Sequence, residues 1–124
     1  MKGNLLIVDD EIALSENMKE LLEEEAQHIF IANNGAEGLE ILKTHKIDCV
    51  VSDVKMPVMD GLKMIQEARM LGHQVPFIFY TGHGTEELRK QAAALGAADL
   101  LTKPNFLNLE MAIRKIMNQP VQSY

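Results

Sequence analysis

The side chains able to do chemistry gather where the apolar runs of this 124-residue chain stop. Leu5-Leu6-Ile7-Val8 gives way to Asp9-Asp10-Glu11, and Cys49-Val50-Val51 to Ser52-Asp53. Phe77-Ile78-Phe79-Tyr80 stops at Thr81-Gly82, and the weaker run Ala97-Ala98-Asp99-Leu100-Leu101 stops at Thr102-Lys103-Pro104. If these runs are neighbouring parallel strands, their carboxyl ends share one crevice, where ligands bind in such sheets. Two adjacent carboxylates facing a third make an oxygen-rich pocket suited to Mg²⁺, a hard cation. Without a cation the three charges repel one another. An ammonium and a hydroxyl aimed at the same point suit a phosphoryl group, because both donate to its oxygens. Asp53, flanked by metal, Lys103 and Thr81, is then a candidate carboxylate nucleophile for phosphoryl transfer.

The elements that must position these groups are legible as well. A further run, His28-Ile29-Phe30-Ile31-Ala32, ends at Asn33-Asn34-Gly35. The central runs do not alternate apolar with polar residues, which is the pattern of strands covered on both faces. Between the runs, Leu14, Met18, Leu21 and Leu22 recur with helical period, as do Leu39 and Leu42. Leu62, Ile65, Ala68 and Leu71 mark a third helix ended by Gly72; Leu88, Ala92 and Leu95 mark a fourth ended by Gly96. Thr85-Glu86-Glu87 supplies a capping hydroxyl and acidic charge where a helix N-terminus favours them. Leu109, Ile113, Ile116 and Met117 form the last helix, which Pro120 should end. Five strands alternating with five helices predict an α/β domain with a parallel sheet and helices on both faces. The whole chain, 1–124, is expected to be one domain with a core over about 4–118 and a short tail, 119–124.

Composition narrows the functions. Twelve basic against eighteen acidic residues leave a net charge of −6, which argues against nucleic acid and anionic membranes as partners. One cysteine cannot form an internal disulfide, and four scattered histidines offer no structural zinc site. No apolar run approaches the ~20 residues of a membrane span, and the start of the chain is too short in apolar residues for a signal peptide core. A cytoplasmic protein is therefore expected. Cys49 reads as an inert core thiol, and His28, His45 and His73 as surface residues. Met111 and Met117 read as core filling, and Glu23-Glu24-Glu25 as a solvated face.

Taken in order, these pieces resemble the receiver domains of bacterial two-component response regulators. The matching residues are Asp9-Asp10, Ser52-Asp53-Val54-Lys55-Met56-Pro57-Val58-Met59-Asp60-Gly61, Thr81-Gly82 and Thr102-Lys103-Pro104. Each piece is weak alone; their joint order at strand ends is specific, and the resemblance covers the chain from first strand to last helix. It implies a doubly wound, flavodoxin-like five-stranded parallel sheet of order 2-1-3-4-5 flanked by five helices. It further implies that Asp53 is the phosphoacceptor. Asp10 and Asp53 would ligate Mg²⁺ directly, Asp9 through a water, and Lys55 through its main-chain carbonyl. Thr81 would be the switch hydroxyl, Lys103 would hold a phosphoryl oxygen with a cis bond to Pro104, and Gly61 would start the third helix.

The implied function is a phosphorylation-dependent signalling switch rather than an enzyme. It would accept a phosphoryl group from a histidine kinase or histidine phosphotransfer protein and change a surface read by a downstream effector protein. A stand-alone receiver is expected, as a monomer or a phosphorylation-dependent dimer. One position departs from the pattern: Leu100 stands three residues before the lysine, where the family usually carries Tyr or Phe. Lys55 and His83, two residues after Asp53 and Thr81, are expected at the pocket mouth, where they bear on attack of water on the acyl phosphate. Lys103 is expected to reach outward from its strand end.

Two other classes fit less well. A phosphatase of the haloacid-dehalogenase type needs Asp-x-Asp after strand one, whereas this chain has Asp9-Asp10 there and Asp53 on strand three. A flavodoxin-like flavin binder needs a hydroxyl- and glycine-rich loop after strand one, where Asp9-Asp10-Glu11 would repel its phosphate.

Overall fold

The central apolar runs are strands covered on both faces, the outer ones are only partly covered, and alternate residues divide the core in two. The computed structural model describes residues 2–117. Its strands are β1 (Asn4–Val8), β2 (His28–Ala32), β3 (Cys49–Ser52), β4 (Phe77–Thr81) and β5 (Asp99–Thr102). Its helices are α1 (Ile12–Leu22), α2 (Gly35–Thr44), α3 (Gly61–Met70), α4 (Glu86–Ala94) and α5 (Phe106–Met117), with a single 3₁₀ turn at Glu23–Glu25. All pairings are parallel and the spatial order is β2-β1-β3-β4-β5. This is the doubly wound, flavodoxin-like arrangement of the 2-1-3-4-5 type, whose order reverses beside β1 and β3.

On one face Leu6, Val8, Val50, Phe77 and Phe79 pack against Leu39 and Leu42 of α2 and Met64, Ile65 and Ala68 of α3. On the other, Leu5, Ile7, Cys49, Val51, Ile78 and Tyr80 pack against Met18 and Leu22 of α1 and Leu109, Ile113 and Met117 of α5. Neighbouring residues of one strand thus serve different layers, the direct consequence of the two-residue side-chain period. Cys49 is fully buried and burial pushes its thiol up to about 12, which keeps it protonated and inert.

The starts of α2, α3 and α4 are capped by side chains. Asn34 accepts from the Glu37 N–H at 3.0 Å, Asp60 from Lys63 at 2.8 Å and Thr85 from Leu88 at 3.1 Å. At the end of α4, Gly96 adopts φ +89° and the Ala97 N–H returns to the Ala92 carbonyl at 3.0 Å, a Schellman closure. That closure occupies Ala97, so β5 begins at Asp99 rather than at the start of the apolar run.

The helical stripes need three corrections. Leu21 and Leu71 are exposed: Met18 and Leu22 are the inward residues of α1, and Leu71 lies just past the end of α3. Met111 is 58% exposed beside the exposed Leu107 one turn earlier, because Leu109, Ile113 and Met117 define the inward stripe of α5. Glu25 is not part of a solvated face. It is 8% exposed and forms a two-pronged bond to Arg114 of α5, Nη2 to Oε2 at 2.7 Å and Nε to Oε1 at 3.2 Å. Pro120 and the tail 119–124 lie outside the described residues. No helix among the described residues is long and apolar enough to cross a membrane.

Candidate functional site

The backbone ladder continues one residue beyond the strands, and this continuation sets the site residues in place. The Asp53 N–H donates to the Val8 carbonyl at 2.9 Å, the Asp9 N–H to Ala32 at 3.1 Å and the Lys103 N–H to Thr81 at 2.8 Å. Asp9, Asp53 and Lys103 therefore take their backbone positions from the sheet itself rather than from flexible loops. Gly61 helps: a Cβ there would collide with the Asp53 carbonyl and the Phe79 ring, so a small residue lets α3 start against the site.

The side chains then converge. Carboxylate oxygens of Asp9, Asp10 and Asp53 lie within 4.8 Å of one another. Lys103 Nζ bridges two of them, 3.0 Å from Asp9 Oδ2 and 3.1 Å from Asp53 Oδ2. Its side chain is only 17% exposed, so the lysine reaches inward, against the expectation of an outward-reaching residue. The physical reason is that two buried carboxylates without a cation would cost more than drawing the lysine in. The peptide bond from Lys103 to Pro104 is cis.

The remaining carboxylate lone pairs are partly satisfied by main chain. Asp9 Oδ1 accepts from the Glu11 N–H at 2.9 Å, and Asp53 Oδ1 from Val54 at 2.7 Å. Asp9 is 3% exposed, and burial lifts its carboxyl above the usual range, against the pull of the Glu11 N–H and Lys103. Burial would lower the Lys103 ammonium, but its bonds to Asp9 and Asp53 outweigh that and hold it above its ordinary value. The lysine therefore stays charged. Asp10 is exposed at the rim and open to a ligand.

An open hollow of about 290 Å³ lies over these groups, lined by Asp10, Glu11, Asp53, Lys55, Gly82, His83 and Lys103. Lys55 and His83 thus do stand at the mouth. A wider hollow of about 640 Å³ lies at the other end of the sheet, near Lys2, Asn4, Lys46 and Met117, far from the acidic triad. The chemistry, not the size, marks the site. Thr81 is buried at the end of β4, and its Oγ1 accepts from the His83 N–H at 3.2 Å within its own loop.

Two residues near the pocket escaped the sequence reading. Val58, in the loop between Asp53 and α3, takes φ +69°, with the Met59 N–H returning to the Pro57 carbonyl at 2.7 Å. That is a tight turn in a region where a β-branched residue is strained. Nothing in the sequence signals it, since valine is a poor turn residue. Tyr80 lies under Lys103, its ring centre 5.9 Å from Nζ. Strand alternation places Tyr80 on the opposite face from Phe79, but only the sheet shows which side chain it meets.

The model of the response regulator receiver domain matches residues 5–114. Among curated proteins, the transcriptional regulatory protein CpxR of Escherichia coli is 37% identical over 118 residues, covering 94% of this chain and 50% of that protein. The transcriptional regulatory protein FixJ of Bradyrhizobium diazoefficiens is 32% identical over 103 residues, covering 83% of this chain and 50% of that protein. The chain thus spans half the length of these relatives. Among solved structures, the response regulator protein TrrA of Thermotoga maritima in complex with Mg²⁺-BeF superposes with a TM-score of 0.82 at 30% identity, covering 93% of this chain and 99% of that one. A response regulator receiver domain from Clostridium thermocellum gives 0.83 at 31% identity, covering 94% and 95%.

Proposed function

The chain belongs to the family of response regulator receiver domains, which are phosphoacceptor signalling domains, and from that premise we propose that Asp53 is its phosphoacceptor in a Mg²⁺-dependent reaction. The observation that carries the reading is the bridge from Lys103 Nζ to Asp9 and Asp53, with Asp10 alongside. It supports the reading because a carboxylate, a hydrogen-bonding ammonium and further carboxylate oxygens surround one point.

The donor set fits the ion. Asp9, Asp10 and Asp53 offer only hard oxygen atoms, and the carboxylates outnumber the single ammonium among them. These carboxylates and the Lys55 main-chain carbonyl would hold Mg²⁺. When bound, the ion neutralises part of the carboxylate charge and polarises the phosphoryl oxygens. The superposable TrrA structure, solved with Mg²⁺-BeF, supports this reading.

The chain's own groups then have defined tasks. A carboxylate oxygen of Asp53 attacks the phosphorus of a phosphohistidine. The P–N bond breaks, and its electron pair returns to the imidazole, which takes up a proton. The Lys103 ammonium, already 3.1 Å from Asp53 Oδ2, donates to an oxygen of the transferred group. Thr81 Oγ1 accepts from His83 and so retains its own proton to donate to a second oxygen. Both bonds exist only once the group is attached, so phosphorylation draws β4 and β5 toward Asp53. That movement is the signal passed to a downstream effector, attached to this domain as the greater length of the relatives allows, or separate from it.

Incubation with acetyl phosphate and Mg²⁺ should add one phosphoryl group, read by intact mass, and Asp53→Asn or EDTA should abolish it. Full labelling of the Asp53→Asn protein would refute the assignment.

A further inference from the structure

We propose that Tyr80 is a positioning residue for Lys103, its fixed ring supporting the ammonium where it crosses from β5 to the acidic pocket. The proposal rests on the reading of Lys103 as the phosphoryl ligand. Strand order sets the problem. Lys103 follows β5, whereas Asp53 follows β3 and Asp9 follows β1, so the lysine must pass over the end of β4. The distance from β5 to β3 is two strand spacings, roughly 10 Å. A lysine chain has many rotamers, and holding it in one path costs conformational entropy.

Tyr80 lies under that path. Nζ is 3.0 Å from Asp9 Oδ2, 3.1 Å from Asp53 Oδ2 and 5.9 Å from the centre of the Tyr80 ring, within the range in which an aromatic face attracts a cation. The ring is itself packed into the core: Tyr80 is 5% exposed and lies in the layer formed by Leu109 and Ile113 of α5. The other aromatic residues of β4, Phe77 and Phe79, face the opposite layer. Tyr80 therefore offers the lysine a rigid, electron-rich surface that an aliphatic residue of similar size would lack.

Core filling and lysine support make different forecasts. With Mg²⁺ present, calorimetric titration with beryllofluoride should show Tyr80→Phe within twofold of the parent protein, because the ring face is kept. Tyr80→Leu should bind about three- to tenfold more weakly. In a Lys103→Met background, Tyr80→Leu should add no further loss, since the two residues act through one interaction. Equal binding by Tyr80→Phe and Tyr80→Leu overturns the proposal, as does an undiminished Tyr80→Leu effect in the Lys103→Met protein. If Lys103→Met alone binds beryllofluoride like the parent, the reading of Lys103 as phosphoryl ligand is what fails. Near-UV circular dichroism checks folding, and Tyr80→Ile replaces Tyr80→Leu if the latter is unfolded.

Discussion

Two buried carboxylate sites in this molecule solve the same electrostatic problem differently. Between the 3₁₀ turn and α5, Glu25 meets Arg114 in a two-pronged pair, with Glu110 of α5 also 4.0 Å from the same guanidinium. At the carboxyl ends of the strands, Asp9, Asp10 and Asp53 meet the single ammonium of Lys103. At the first site the planar guanidinium matches the carboxylate it binds, one oxygen to each nitrogen. The second carries more negative charge than its lysine can neutralise and keeps an exposed carboxylate at the rim. The two-pronged pair ties one element to another. The unbalanced cluster remains a site for a cation and for a phosphoryl group, at a cost in stability of the metal-free fold.

The largest test of this contrast removes the one cation of the acidic cluster. Lys103→Ala should destabilise the metal-free protein by about 3 kcal/mol, because it leaves the Asp9 and Asp53 carboxylates with no neighbouring cation. Mg²⁺ should recover part of that loss, since the ion binds only the folded site. Chemical denaturation in EDTA and in millimolar Mg²⁺ measures both; a Lys103→Ala protein as stable as the parent in EDTA would remove the basis for the bridge.

Breaking the two-pronged pair should give a smaller effect of a different kind. Glu25→Gln should lower the melting temperature by less than Lys103→Ala does, and equally with and without Mg²⁺, because Glu25 lies outside the cluster of Asp9, Asp10 and Asp53. A Mg²⁺-dependent change in the Glu25→Gln protein would erase the distinction between the two regions. The smallest expected effect has the opposite sign. Asp10→Asn should stabilise the metal-free protein by about 0.5 kcal/mol, a small gain because Asp10 is exposed and screened. The same change should weaken Mg²⁺ binding, so thermal melts with increasing Mg²⁺ should shift less than those of the parent. An unaltered shift would mean that Asp10 is not among the ligands.

Much of the acidic site was legible in the chain. Asp9, Asp53, Thr81 and Lys103 each stand where an apolar run meets a polar residue, and in a parallel sheet such boundaries lie at one edge. The order 2-1-3-4-5 came with the family resemblance, and the observed pairings agree. The two-pronged pair was not legible at all. Glu25 looks like the third member of a solvated acidic run, and Arg114 lies 89 residues away. Nothing local distinguishes a glutamate that will be covered from two that will not.

The direction of Lys103 shows where local reading stops. Its position at a strand end follows from the residues around it, because strand boundaries depend on burial and turn chemistry along a few residues. Its inward path depends on the charges of Asp9 and Asp53, 94 and 50 residues earlier, and on the Tyr80 ring beneath it. What the sequence determined by itself was the alternation of strands and helices and the chemical types gathered at one edge of the sheet. How those charges pair was settled by the folded arrangement, since Coulomb energy and desolvation depend on distance and burial in space rather than on separation along the chain.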